Sequence, residues 1–258
     1  MSEETHSGLI LDQFTRQAAP FSSAGPIADA AALQMIVEAA RPQPDDTVLD
    51  IACGGGLVVC AFAPHVRHAT GIDMTPAMLD RARTLAAEKG LANVDWQLGG
   101  VTRLPYPDGA FGIVVTRFAM HHLLDPRAVF AEMVRVCRPG GRVVVVDTCA
   151  SPDPQKAALF NRLEKLRDPS HARSLTLAEI EDFYRGAGLP QPQARFYQLR
   201  DSVDNLLARS FPNPGDEPRI RALFAAAVED DSLGVPVSRD GDKLLYAYPV
   251  AILAAART

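Results

Sequence analysis

The sequence predicts an α/β chain built on an open, doubly wound parallel sheet, and three observations predict it. Short apolar runs alternate with helix-period segments from Val48 to Val146, the pattern of successive βαβ units. One run, Val48–Ala52, passes directly into Cys53 and the glycines Gly54, Gly55 and Gly56, a strand-to-helix junction whose backbone a ligand can approach closely. Thr75-Pro76 and Asp125-Pro126 each place a capping side chain before a proline at the first helical position. Right-handed crossovers between parallel strands then lay the helices on both faces of the sheet.

In chain order, Phe14, Ala18 and Phe21 fall on one helical face that must cover something, and Ile27–Ala40 is an Ala-rich helix. Residues 1–25 are therefore read as an N-terminal lid and 26–258 as one domain. Strands are expected at Val48–Ala52, His68–Asp73, Val94–Leu98, Gly112–Arg117 and Arg142–Asp147, with Arg138-Pro139-Gly140-Gly141 ending a helix and turning the chain into the last of them. Thr176-x-x-Glu179 is a capping box that opens a helix ending near Gly186–Gly188. Apolar strand candidates at Ala194–Leu199 and Lys243–Ala255 flank a helical insertion around Asp201–Arg209 and Pro218–Val228. The stretches 150–175 and 201–242 are expected to cover a substrate.

With 258 residues, 47% of them hydrophobic and 22% charged, the chain can bury a sizeable core. A net charge of −5 offers no basic field for phosphates, so nucleic acid is not an expected partner. The start lacks the basic and apolar regions of a signal peptide, and the run Leu244–Ala256, interrupted by Pro249, falls short of the roughly 20 residues a bilayer span needs. A cytoplasmic monomer or homodimer with no membrane partner is the expectation. Cys53, Cys60, Cys137 and Cys149 lack Cys-x-x-Cys spacing and sit in or beside apolar segments, as reduced structural thiols do.

The chemistry concentrates at the first loop. Gly54-x-Gly56-x-x-Val59 leaves the dinucleotide fingerprint incomplete, which argues against a nicotinamide oxidoreductase. Asp50 stands at the loop mouth, where a carboxylate repels pyrophosphate and favours a cation; S-adenosylmethionine carries an ammonium and a sulfonium. Asp73 closes the second strand about twenty residues on, where a carboxylate accepts both hydroxyls of a ribose, or else serves as an acid at a helix start.

Val48–Gly56, Thr70-Gly71-Ile72-Asp73-Met74-Thr75-Pro76, Leu104-Pro105-Tyr106-Pro107-Asp108-Gly109-Ala110-Phe111, His121-His122-x-x-Asp125-Pro126 and Arg138-Pro139-Gly140-Gly141 occur in an order and spacing that resembles the class I methyltransferases of the ubiquinone/menaquinone-biosynthesis type. The resemblance covers roughly residues 10–190. It implies a Rossmann-like seven-stranded sheet whose last strand, Leu244–Ala255, is antiparallel, with an N-terminal helical cover and a C-terminal helical insertion. It also implies S-adenosylmethionine as cofactor and methyl transfer to an O, N or C nucleophile of a small molecule. The chain departs from the family at Gly99-Gly100, where Gly-Asp is usual and the Asp accepts from the adenine amino group, and at Ala110-Phe111-Gly112, where Ser-Phe-Asp is usual. These departures keep open an alternative: a methyltransferase-fold protein that has lost methyl transfer and serves as a binding or scaffold subunit or catalyses a non-methylating reaction.

The candidate cofactor contacts are Asp50, Ala52, Cys53, Gly54, Gly56, Asp73, Met74, Met78, Gly100, Val101 and Arg117. His121 and His122 follow the fourth strand at the lip of the site and are candidate bases, or else helix-start histidines bonded to Asp125. Adjacent histidines on a helix point different ways, so no shared metal is expected. Phe21, Phe118, His171 and Arg173 are candidate substrate contacts, the last two in the polar cluster 167–173.

Overall fold

The computed structural model describes residues 3–22 and 25–258, with side chains except those of 19–22; the candidate contact Phe21 lies outside the described side chains. One mixed sheet runs in the order β3-β2-β1-β4-β5-β8-β6, from β1 (Thr47–Ile51), β2 (His68–Asp73), β3 (Val94–Leu98), β4 (Phe111–Arg117), β5 (Cys137–Thr148), β6 (Gln193–Ser202) and β8 (Lys243–Ala256). β1 to β5 pair in parallel, and β8 is antiparallel to both β5 and β6. The order reverses between β1 and β4, and open α/β sheets bind ligands outside the carboxyl ends of strands at such a switch point.

The central runs of β4 and β5, Ile113–Val115 and Val143–Val146, are apolar because helices cover both faces. On one face Val48, Ile113, Val115, Val144 and Val146 pack with α2 (Ala30–Ala40), α3 (Leu57–Phe62), α6 (Pro154–Arg167), α8 (Val203–Ala208) and α9 (Glu217–Asp230). On the other, Leu49, Ile51, Val114, Val143 and Val145 pack with α5 (Pro126–Val136) and α7 (Leu177–Gly186). The remaining helices are α1 (Glu3–Ser22), which packs against α4 (Pro76–Glu88), and α4 itself. Among the described residues no helix is long and apolar enough to cross a membrane.

The caps at Asp29, Asp125 and Asp153 and the capping box Thr176/Glu179 form as side-chain to backbone hydrogen bonds. Thr75 does not cap α4: its Oγ1 is buried without a partner, and Asp73 instead accepts from the Thr75 N–H at 2.8 Å. An eighth strand, β7 (Val237–Asp240), lies within the stretch read as helical insertion. Asp240 pairs with Lys243 across Gly241-Asp242, with Gly241 at φ 56°, so the Gly-Asp step is a two-residue hairpin turn. β5 starts at Cys137 rather than Arg142, because Cys137 pairs with Phe111 ahead of a register shift.

Gly112 has a local cause. A Cβ there would stand 2.4 Å from Asp46 Oδ1, and the buried Asp46 carboxylate binds Arg138 at 2.9 Å and Arg142 at 2.5 Å. The carboxylate missing at 112 is thus supplied from the residue preceding β1, remote from the cleft described next.

Candidate active site

A cleft of about 920 Å³, part of it open solvent, lies at the carboxyl ends of β1, β2 and β4, with Ile10 and Phe14 of α1 above it. Its wall carries Asp50, Ala52, Cys53, Gly54, Asp73, Met74, Met78, Gly100, Val101 and Arg117, which the sequence places together, and also Gly55. Gly56 does not line it. A Cβ at Gly56 would lie 2.5 Å from Trp96 and 2.8 Å from Ala82, so this glycine, at φ 80°, serves the close approach of α3 to β3 and α4. Ala52 and Phe118 follow β1 and β4 in left-handed conformation, φ 52° and 55°, which bends the chain away from the sheet at the cleft.

The two carboxylates differ. Asp73 is held by Gly54 N–H on Oδ2 at 2.9 Å and Thr75 N–H on Oδ1 at 2.8 Å; burial raises its carboxyl above the usual range while these bonds oppose the rise. Each oxygen keeps a lone pair for a ligand hydroxyl. Asp50 is 1% exposed and its buried Oδ1 has no hydrogen-bond partner. Burial, with Asp73 adding and Arg117 opposing, pushes the Asp50 carboxyl well above the ordinary carboxylate range. Burial and both carboxylates push the Cys53 thiol up, and all four cysteines are free and buried, as structural thiols. Gly100 has open space around its Cβ position and no left-handed φ.

A second chamber of about 600 Å³ adjoins the first, sharing Phe14, Ile27, Phe118 and His122. Its far wall is polar: Tyr248 donates to Glu164 at 2.8 Å, Arg167 clasps Glu164, and Arg209 pairs with Asp201 while donating to the Tyr246 hydroxyl at 2.8 Å. α1 is tied over it by Gln17 to Asp168 and Gln13 to the Phe211 carbonyl. Phe118 lines both chambers, whereas His171 and Arg173 line neither. His171 is fully buried against Asn161 at 2.9 Å, and Arg173 faces solvent with Glu179 at 2.8 Å. The cluster 167–173 acts instead through its backbone, with the N–H groups of Ala172 and Arg173 both bonding the His121 carbonyl. Arg167, also in that polar cluster, is largely covered in the chamber wall.

His121 and His122 sit in a short 3₁₀ turn after β4, and neither bonds Asp125, which caps α5. Their rings nevertheless lie side by side, centroids 4.4 Å apart. His121 Nδ1 is 2.6 Å from Asp147 Oδ1 at the end of β5. Asp147 also accepts the His121 and Thr148 backbone N–H groups, so it is read as the acceptor and His121 Nδ1 as the donor. Nε2 is then the basic atom of a ring that lines the second chamber. Burial works against the imidazolium, but the charge and hydrogen bond of Asp147 prevail and raise His121 above its ordinary value. His122 is the reverse: burial and His121 hold it down at about 3, while its Nδ1 donates to the Ser170 carbonyl at 3.2 Å. The Asp147 contact was not read from the sequence; the signal for it was an Asp closing the strand beside the His-bearing turn. Among the described residues no three His, Cys, Asp or Glu side chains form a metal-binding group.

Methyltransferases are among the proteins this chain is similar to. A methyltransferase domain family matches residues 49–145. The uncharacterized methyltransferase YcgJ of Bacillus subtilis is 29% identical over 242 residues, covering 93% of this chain and 96% of YcgJ. Its crystal structure superposes with a TM-score of 0.80 at 30% identity, covering 88% of this chain and 99% of that one. A demethylmenaquinone methyltransferase of Listeria monocytogenes is 33% identical over 124 residues, 47% of this chain and 52% of that protein. Geranyl diphosphate C-methyltransferase of Streptomyces coelicolor, crystallised with S-adenosyl-L-homocysteine, shares the fold at a TM-score of 0.63 and 20% identity, covering 89% of this chain and 79% of that one.

Proposed function

Because the chain belongs to this methyltransferase-domain family and is itself a methyltransferase of class I fold, we propose that its donor is S-adenosylmethionine and its acceptor a small molecule with an O, N or C nucleophile. The observation that carries this is the pairing, in one cleft, of an orphaned buried carboxylate, Asp50, with a second one, Asp73, whose oxygens are aimed by the glycine loop. Asp50 meets a cation and Asp73 the ribose hydroxyls, while Gly100 and Val101 flank the adenine. S-adenosylmethionine supplies, when bound, a methyl group already activated by its sulfonium. The chain aligns the two reactants and keeps water out, with Phe14 and Phe118 at the junction of the two chambers. His121 Nε2 takes the proton of an acceptor hydroxyl, and Asp147 holds the ring in the tautomer that leaves Nε2 bare. His122, held far below neutral pH, has little basicity for that role.

Calorimetric titration with S-adenosylmethionine tests the donor: saturable binding is expected, and no heat at millimolar cofactor rejects it. The loss of methyl transfer inferred from Gly100 and Gly112 has less support, since Gly112 makes room for Asp46 away from the cleft. Detecting S-adenosylhomocysteine release with a metabolite extract counts against that loss.

Gly100→Asp is expected to tighten binding. A Cβ there meets nothing and the backbone is not left-handed, so the carboxylate reaches the adenine amino group without strain. A hydrogen bond to a charged acceptor contributes about 1.5–3 kcal/mol, or roughly tenfold to a hundredfold in affinity. Paired calorimetry with melting temperatures checks it; weaker binding at unchanged stability means the adenine site has another partner or holds another ligand.

Asp50 gives the site a pH dependence. Its folded value is raised, so folding is favoured with the group protonated, and that contribution is lost as pH rises through the folded value. A bound cation stabilises the ionised form. Binding is therefore expected to release protons and to weaken as pH falls, while Asp50→Asn raises the melting temperature of the free protein. Titrations in buffers of different ionisation enthalpy measure the proton release; none in the wild type rejects the role.

A further inference from the structure

Tyr246 carries a buried hydroxyl whose proton has no acceptor. It stands on β8 in the wall of the second chamber and is 3% exposed. β6 sets Asp201 opposite it, and α8 brings Arg209 back to both. One guanidinium then donates to the Asp201 carboxylate at 2.5 Å and to the Tyr246 hydroxyl at 2.8 Å. A guanidinium cannot accept, so Tyr246 takes that bond on its oxygen and its own O–H is left over. Among the described residues that proton meets no acceptor, whereas the proton of Tyr248, packed against it with ring centroids 4.4 Å apart, goes to Glu164. Burial holds the Tyr246 hydroxyl up at about 12, so the proton stays on it. Buried donors are ordinarily satisfied, and an oxygen of a ligand in the chamber would satisfy this one.

The charges of the same wall decide what kind of ligand that is. Two arginines suggest an acid, but neither is free. Arg167 directs Nε and Nη2 to Glu164 and Nη1 to the Ser210 hydroxyl, and Arg209 is bound to Asp201. Asp168 adds a carboxylate held by Ser170 and Gln17 rather than by a cation. Glu164, Asp168 and Asp201 thus outnumber Arg167 and Arg209. A carboxylate or phosphate entering the chamber loses its water and meets an excess of negative charge.

We infer that the second chamber takes an uncharged hydroxyaryl ketone, its hydroxyl against His121 Nε2 and its carbonyl oxygen accepting from the Tyr246 hydroxyl, and excludes acids of the same shape. This rests on the methyl-transfer reading above and names the acceptor class which that reading leaves open. The acceptor oxygen forms its bond to the methyl carbon as the carbon–sulfonium bond breaks. The electron pair of the broken bond goes to sulfur, giving S-adenosylhomocysteine, and the hydroxyl proton goes to His121 Nε2. Tyr246 fixes the other end of the acceptor and exchanges no atom with it.

The test is calorimetry on the full chain saturated with S-adenosylhomocysteine, with three probes on one frame. These are 7-hydroxy-1-tetralone, 5,6,7,8-tetrahydro-2-naphthol, which has a methylene for the carbonyl, and 7-hydroxy-1-naphthoate, which has a carboxylate. The ketone is expected to bind about tenfold or more tightly than either of the others. Tyr246→Phe is expected to weaken the ketone to the level of the tetrahydronaphthol while leaving the tetrahydronaphthol and S-adenosylhomocysteine within about twofold; a merely structural role weakens all of them together. If Tyr246→Phe does not fold, the wild-type series decides alone. Ketone and tetrahydronaphthol within about twofold in the wild type, a preference for the ketone that survives Tyr246→Phe, or a naphthoate that binds as tightly as the ketone overturns the assignment, as does binding of none of the three. S-adenosylhomocysteine binding in the same titrations then leaves the methyl-transfer reading standing. Failure of S-adenosylhomocysteine itself to bind overturns both.

Discussion

Replacing His121 with alanine is expected to lower methyl transfer to a hydroxyl acceptor by about 10²–10⁴-fold, the usual contribution of a positioned general base, with cofactor affinity nearly unchanged. The ring lines the second chamber rather than the first cleft proposed for the donor, which is why the rate and not the donor affinity responds. Asp147 raises the value of His121, so the rate climbs with pH until the imidazole has lost its proton, above the pH at which a free histidine would do so. Asp147→Asn removes the charge and moves that limb to lower pH. It also lowers the rate, because an asparagine oriented with its amide N–H toward Nδ1 puts the proton on Nε2 and blocks the base. His122→Ala, a change in a ring with little basicity, leaves the limb in place. Single-turnover rates across pH separate these outcomes, and a His121→Ala rate within threefold of wild type at every pH rejects the assignment.

Much of the first cleft is legible because it is local. A strand, a glycine loop and a second strand-end acid are adjacent or nearly adjacent in the chain, and the crossover rule fixes how they stack. Ten of the eleven residues read as cofactor contacts line one cleft for that reason. Gly56 misled because a glycine needed for close backbone approach to a ligand and one needed for close packing on Trp96 have the same sequence pattern. The second chamber was far less legible. His171 and Arg173 stand in a polar stretch that lies next to the site, but in one the side chain turns into the protein and in the other out to solvent, and sequence spacing carries no information on that in an irregular loop. The wall is built from Tyr246 and Tyr248 on β8, Glu164 and Arg167 on α6 and Arg209 after α8, brought together only by the packing of the last strands and helices. The missing carboxylate at Gly112 shows the same limit: its substitute, Asp46, is apparent only once β1, β4 and β5 are side by side.

Asp73→Ala is expected to weaken S-adenosylmethionine binding at least tenfold and also to lower the melting temperature. From the sequence alone stability would change little, but in the structure Asp73 holds the Gly54 and Thr75 N–H groups, the first in the glycine loop and the second at the start of α4. Removing the carboxylate leaves two donors short of their charged acceptor, each such bond contributing about 1.5–3 kcal/mol. Part of the affinity loss then comes from a loosened loop rather than from the ligand. A ribose-specific component can be isolated by pairing the substitution with a ligand change. A 2′-deoxyadenosyl analogue lacks one of the two hydroxyls Asp73 is assigned, so it binds the wild type more weakly than S-adenosylhomocysteine does. In Asp73→Ala the two ligands should bind alike, because the partner of the missing hydroxyl is gone, whereas loop damage alone weakens both by the same factor and preserves their difference. A difference that survives intact in the mutant makes Asp73 a brace for the glycine loop and nothing more, and the ribose then has another acceptor.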